Sequence, residues 1–154
     1  MFERKKFITD SLKESSEIKL KVLESCYDDI MKASEMILET IKSGNKLMLC
    51  GNGGSAADSQ HLATEFMIRL SHDIKRKAIP AIALSTDSSN LTAGGNDIGF
   101  ENIFARNIEG IGREGDLLIG ISTSGNSKNK KRSKSAMKPK SVKCPKHNGI
   151  GRGY

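Results

Sequence analysis

Three short apolar runs, each closing in a polar loop, constrain this chain more than any other feature. Lys46-Leu47-Met48-Leu49-Cys50 runs into Gly51-Asn52-Gly53-Gly54-Ser55, and Ala81-Ile82-Ala83-Leu84 into Ser85-Thr86-Asp87. Leu117-Leu118-Ile119-Gly120-Ile121 runs into Ser122-Thr123-Ser124-Gly125-Asn126-Ser127. Apolar runs this short, bounded by turn residues, read as buried strands. Between them a helical pattern is predicted from about Ala56 to Leu70, and Phe100, Ile103, Phe104 and Ile108 mark a second helix. Strand, loop and helix in repetition predict an α/β fold, a doubly wound parallel sheet covered by helices on both faces. Ahead of the first run, no Gly or Pro precedes Gly44, and Phe7, Ile8, Leu12, Val22, Leu23, Ile30, Ala33, Ile37 and Ile41 recur at helical steps. Two leading helices are expected there, ended by Ser43-Gly44-Asn45. Their apolar faces need cover, either from the rest of the domain or from a partner subunit.

The net charge of +7 belongs to one end of the chain. Residues 128–154 hold ten Lys or Arg and no acid, while residues 1–127 hold fifteen basic and eighteen acidic side chains. The body is therefore mildly acidic, and an argument for nucleic-acid binding from charge rests on the last 27 residues alone. No apolar run is long enough to span a membrane, and the start, Met1-Phe2-Glu3-Arg4-Lys5-Lys6, lacks the apolar core of a signal peptide. Cys26, Cys50 and Cys144 are odd in number and far apart, which excludes a disulfide framework and a CxxC metal knuckle. A cytoplasmic location is expected.

Residues 1–127 are read as one domain and 128–154 as a basic, disordered tail. Met137, Val142 and Ile150 show no periodicity there, and Gly149, Gly151 and Gly153 interrupt the remainder. Two accounts stay open: a change of reading frame near Ser127–Lys131, or a genuine tail. A genuine tail would contact nucleic acid only non-specifically, because Tyr154 is its one stacking side chain.

Two of the loops stand where open α/β sheets bind ligands, at the carboxyl ends of strands. Glycines in Gly51–Ser55 let backbone N–H groups approach an anion at a helix start. Ser122–Ser127 supplies four hydroxyls and no acid. Two such loops in one sheet make a phosphate ester the leading ligand class. The first loop also fits G-x-G-x-x-A, the dinucleotide pattern. Asp87, the acid ending the next strand, lies 36 residues past Gly51 instead of about 20, which weakens that reading. His61 and Glu65 share one helix face, a spacing for two metal ligands, for a base beside an imidazole, or for an exposed pair. Gly94-Gly95-Asn96-Asp97 reads as a further polar turn.

Together Gly51-Asn52-Gly53-Gly54-Ser55, Asp58, His61, Glu65, Gly95-Asn96-Asp97, Gly99-Phe100, Gly112-Arg113-Glu114-Gly115-Asp116 and Ser122–Ser127 resemble the phosphoheptose isomerases of the sugar isomerase (SIS) domain proteins. The resemblance covers residues 1 to about 127. It implies an SIS-type sheet with two leading helices, assembled as a homotetramer. It also implies conversion of sedoheptulose 7-phosphate to D-glycero-D-manno-heptose 7-phosphate for lipopolysaccharide or capsule. By motif position Ser122, Thr123, Ser124 and Ser127 would hold the phosphate, and Asn52, Gly53, Gly54, Ser55, Asn96 and Asp97 would line the sugar. Glu65 would be the catalytic base and contact substrate, and His61 with Glu65 would bind one Zn2+ per subunit. The family's later part, which supplies a Gln and a His to that metal, has no counterpart in residues 128–154, and His147 does not take the role. The C-terminal part of the fold therefore reads as missing and the chain as impaired. The alternative is a non-catalytic sugar-phosphate-binding SIS protein whose tail contacts nucleic acid, with a dehydrogenase behind it.

Overall fold

In this computed structural model residues 3–137 are described. The chain divides into two units, Met1–Ser34 and Glu35–Tyr154. The first holds α1 (Arg4–Ser25) and the start of α2 (Tyr27–Lys42). As the unbroken helical pattern predicts, both are long helices, interrupted only at Cys26. No residue of α1 is buried, so the stripe through Leu12 and Leu23 stays exposed in the single chain.

α2 carries Asp28 and Asp29 in its first turn and Lys42 in its last, charges that suit the helix dipole. It stops where Gly44 takes a φ of 74°. The Gly44 N–H then reaches the Ile41 carbonyl and the Asn45 N–H that of Thr40, two bonds that close the helix end. β1 (Leu47–Cys50), β2 (Ala81–Ala83) and β3 (Leu117–Gly120) follow, at the three predicted apolar runs. All pairs are parallel in the order β2-β1-β3, with Leu47 opposite both Ala81 and Leu117. α3 (Gly54–Met67) connects β1 to β2. α4 (Ser88–Asp97), a 3-10 turn over Phe100–Asn102 and α5 (Ile103–Ile111) connect β2 to β3.

Strand alternation sorts the apolar side chains into two cores. Met48, Cys50 and Leu118 pack with Leu84, Ile103, Phe104 and Ile108 on one face. Leu47, Leu49, Ala81, Ala83 and Leu117 pack with Ala63 on the other, where Met36, Ile37 and Ile41 of α2 add cover. β1 is central, and all four of its residues are buried.

Three expectations are corrected. α3 begins at Gly54 and ends at Met67, not at Ala56 and Leu70, because the Gly51–Gly53 loop turns early and the Ile68 N–H closes on Thr64. Gly94–Asp97 is not a turn but the end of α4, whose start is capped by Asp87 accepting the Asn90 N–H at 2.9 Å. The third concerns residues 128–154: Lys128–Ala136 form a helix, α6, where composition predicted disorder. α6 lies on α5 and the 3-10 turn, with Asn129, Lys130 and Ser133 buried and Ala136 and Met137 against the core. Those positions recur at helical steps, so the helix has an inward face although few of its residues are apolar. The rest of the expected tail, 138–154, lies outside the described residues.

Candidate functional site

The sheet has parallel strands, so β1 and β3, being neighbours, deliver the first and second loops side by side at their carboxyl ends. Gly51 is required for the first. A β-carbon there would lie 2.1 Å from the Ser55 carbonyl oxygen, so only glycine lets the strand turn directly into α3. Gly53 follows with a φ of 54°. Gly53 and Gly54 are exposed, Asn52 is half-buried and Ser55 is buried at the start of α3.

In the second loop the Ser122 hydroxyl accepts the Gly125 N–H at 3.0 Å and the Ser124 hydroxyl accepts the Asn126 N–H at 3.3 Å. These local bonds hold the loop as a turn. Thr123 and Ser124 are exposed, and Ser122 and Ser127 half-buried. At the carboxyl end of β2, the Ser85 hydroxyl is buried with no hydrogen-bond partner among the described residues.

The first loop is tied to the helix that follows the second. Asn52 Nδ2 donates to Asn129 Oδ1 at 3.1 Å, and Asn129 Nδ2 donates back to Asn52 Oδ1 at 3.0 Å. Asn129, in the first turn of α6, was not singled out in the sequence. Its position two residues beyond Ser127, where a strand-end loop re-enters helix, is the signal that could have found it.

Lys130 was also missed. It is buried, and its ammonium donates to the Ile121 carbonyl beside the Cys50 thiol. Burial lowers the Lys130 pKa from its ordinary value, against an opposing pull from Cys50. Burial likewise pushes the Cys50 thiol up to about 11, although the Ser133 hydroxyl and Lys130 work the other way. Cys50 is thus an inert thiol behind the loop.

On α3, His61 Nε2 lies 3.5 Å from Glu65 Oε1, with the His61 side chain 73% exposed and that of Glu65 23%. The guanidinium of Arg76 donates to the backbone carbonyls of Glu65 and Phe66, fixing the end of the helix that carries both residues. Asp58 is exposed on the same helix. Asn96 and Asp97 close α4 and bond to each other at 2.8 Å; among the described residues no hydrogen bond ties either to a loop. Asp87 is an N-cap, which answers what it does in place of binding a ribose.

His61 and Glu65 suit zinc in donor type and in their one-turn spacing, and could fill two of its positions. The described residues contain no group of three or more potential metal-ligating His, Cys, Asp or Glu side chains. The pair alone would supply two of the four ligands of a usual zinc site.

Among the described residues no helix is long and apolar enough to cross a membrane. The SIS domain family matches residues 12–137. The chain is 52% identical over 120 residues to the phosphoheptose isomerase of Pelodictyon phaeoclathratiforme, covering 78% of this chain and 57% of the relative. It is 56% identical over 115 residues to that of Chlorobaculum parvum, covering 75% and 55%. The structure of phosphoheptose isomerase GmhA from Neisseria gonorrhoeae superposes with a TM-score of 0.77 at 38% identity, over 86% of this chain and 67% of that one. A phosphoheptose isomerase from Francisella tularensis gives 0.81 at 31%, over 88% and 70%. The chain spans little more than half the length of the curated relatives it matches.

Proposed function

The chain belongs to the SIS domain family, and from that premise we propose that it is a phosphoheptose isomerase acting on sedoheptulose 7-phosphate. One observation carries the reading. The two polar loops stand at the carboxyl ends of adjacent strands, Asn52 of the first bonds to Asn129 in the helix that follows the second, and the first launches the helix that bears Glu65. The names and identities of the relatives support the same conclusion.

A ketose–aldose shift moves one proton between neighbouring carbons through an enediol. It needs an anchor for the phosphate, a base near the transferred hydrogen, and polar groups on the sugar oxygens. Ser122, Thr123, Ser124 and Ser127 are proposed as the anchor. Asn52, Gly53, Gly54, Ser55, Asn96 and Asp97 are proposed to line the sugar. Glu65 is the proposed base; its largely covered carboxylate on a helix tied down by Arg76 suits a group that must hold position.

Zinc, held in part by His61 and Glu65, would polarise a substrate oxygen. A homotetramer would give the exposed stripe of α1 a partner. A cytoplasmic location and a product used for lipopolysaccharide or capsule complete the proposal.

The test is turnover of sedoheptulose 7-phosphate by the 154-residue chain and by Glu65→Gln. Turnover that disappears in the variant supports the isomerase. Binding without turnover by the unaltered chain supports the non-catalytic sugar-phosphate binder, and absence of both sinks the substrate assignment.

A further inference from the structure

The reciprocal bond between Asn52 and Asn129 fixes more than a distance. A carboxamide can be turned over, exchanging its oxygen for its nitrogen, and only its partners decide which way it lies. For Asn129 that choice is made by backbone: its Oδ1 also accepts the Lys130 N–H at 2.9 Å. With Oδ1 committed there, Asn129 presents an acceptor and an N–H donor to Asn52 in a fixed arrangement. Asn52 must answer with Nδ2 toward Oδ1 at 3.1 Å and Oδ1 toward Nδ2 at 3.0 Å. The reversed state of Asn52 would set N–H against N–H and oxygen against oxygen.

Burial makes the pairing decisive. Asn129 is 2% exposed, so water is poorly placed to replace a lost partner, whereas Asn52 is only half-buried. Each amide spends one N–H and one lone pair on the other. Asn52 keeps its second N–H and second lone pair, a donor and an acceptor that together match a sugar hydroxyl.

We propose that Asn129 is a positioning residue, which locks the Asn52 carboxamide in one orientation so that the first loop offers a defined donor and acceptor to the sugar. The proposal deepens the isomerase reading and rests on it for the identity of the ligand. Because α6 begins at the second loop, the same contact makes the position of Asn52 depend on how that loop is held.

Two measurements on the full 154-residue chain test this, one without ligand. The side-chain amide proton of Asn52 that is bonded to Asn129, followed by NMR, should show slowed hydrogen exchange in the unaltered chain and lose it in Asn129→Ala. Asn129→Leu serves as a second variant if the alanine form does not fold, since it fills about the same buried space. It can neither accept from nor donate to Asn52, so protection should again fall. An Asn52 amide equally protected in the variants overturns the proposal.

The second measurement is affinity for sedoheptulose 7-phosphate and for inorganic phosphate. Asn129→Ala should weaken the sugar phosphate by about tenfold and inorganic phosphate by less than about twofold. In an Asn52→Ala background, Asn129→Ala should weaken the sugar phosphate no further. Equal losses for both ligands, or full additivity with Asn52→Ala, would mean a merely structural role and overturn the proposal. If the unaltered chain binds no sugar phosphate, the isomerase reading fails, and the NMR comparison still decides whether Asn129 orients Asn52.

Discussion

Asp116 and Lys46 join the starts of β3 and β1 at the end of the sheet away from the loops. One Asp116 oxygen accepts the Lys46 backbone N–H at 2.9 Å, and the other accepts the Arg113 N–H at 2.7 Å together with the Lys46 ammonium. Burial alone would raise the Asp116 pKa, but these donors outweigh it and hold the carboxyl below its ordinary 3.8.

Asp116→Ala should therefore cost about 2–3 kcal/mol at neutral pH, read as a lower urea midpoint, because it strands two N–H groups and a half-covered ammonium. The sign of the pH effect follows from the lowered pKa. The contribution is fully present above 3.8 and is lost as pH falls through the folded-state value. The variant should lack that part of the acid transition. An unchanged acid limb would show that the carboxylate does not carry it.

Lys130→Met should stabilise the chain by about 1 kcal/mol at pH 7, since a protonated ammonium is held in a buried position there. A folded-state pKa below 10.5 means that the unfolded chain binds the extra proton. Stability linked to Lys130 thus rises as pH climbs toward 10.5 and is lost as pH falls through the lowered value. Cys50, raised from 9.0 to about 11, acts in the opposite sense above 9.0. The difference between the two thermal stability curves, recorded from pH 7 to 10, is the quantity that tests this. A destabilised Lys130→Met would mean that the bond to the Ile121 carbonyl outweighs the cost of burial.

Two glycines of one loop should behave oppositely. Gly51→Ala drives a methyl to 2.1 Å from the Ser55 carbonyl oxygen and 2.4 Å from its carbon, both backbone atoms that cannot swing away. A loss of about 2–4 kcal/mol, or failure to fold, is expected. Gly54→Ala meets nothing within 4 Å, and in the first turn of α3 it should change stability by less than about 1 kcal/mol. Equal thermal shifts for the two would contradict the close approach.

Ser122→Ala removes the acceptor for the Gly125 N–H and with it the turn that shapes the second loop. Inorganic phosphate should then bind about tenfold more weakly, with thermal stability changed by less than about 1 kcal/mol. Unaltered phosphate binding, measured by calorimetry, would take this loop out of the site.

The strands and both loops were legible because their signals are local. A run such as Leu47–Cys50 can only be buried, and Gly51 marks a turn wherever it falls. His61 and Glu65 were legible as neighbours because one turn of helix separates them. α6 was not. Counting apolar residues in Lys128–Ala136 predicts disorder, yet the helix is docked through polar groups, Asn129 on Asn52 and the Lys130 ammonium on the Ile121 carbonyl, while the buried Ser133 hydroxyl is satisfied within the helix by the Lys130 carbonyl. Gly94–Asp97 misled in the other direction, since two glycines suggest a turn, while the Asp87 cap and the approach of Ile103 to Gly94, where a β-carbon would meet it at 3.2 Å, set them in a helix.

The sequence by itself determined the parallel α/β class, the places of the three strands and the two loops that close β1 and β3. These follow from periodicity and turn chemistry, which act over a few residues. The tertiary structure decided what lies next to what across 77 positions, as with Asn52 and Asn129. It also decided that a buried lysine and a polar helix are tolerated behind the site. Such facts depend on hydrogen-bond partners distant in the chain, and no local pattern encodes which carbonyl or amide will be waiting there.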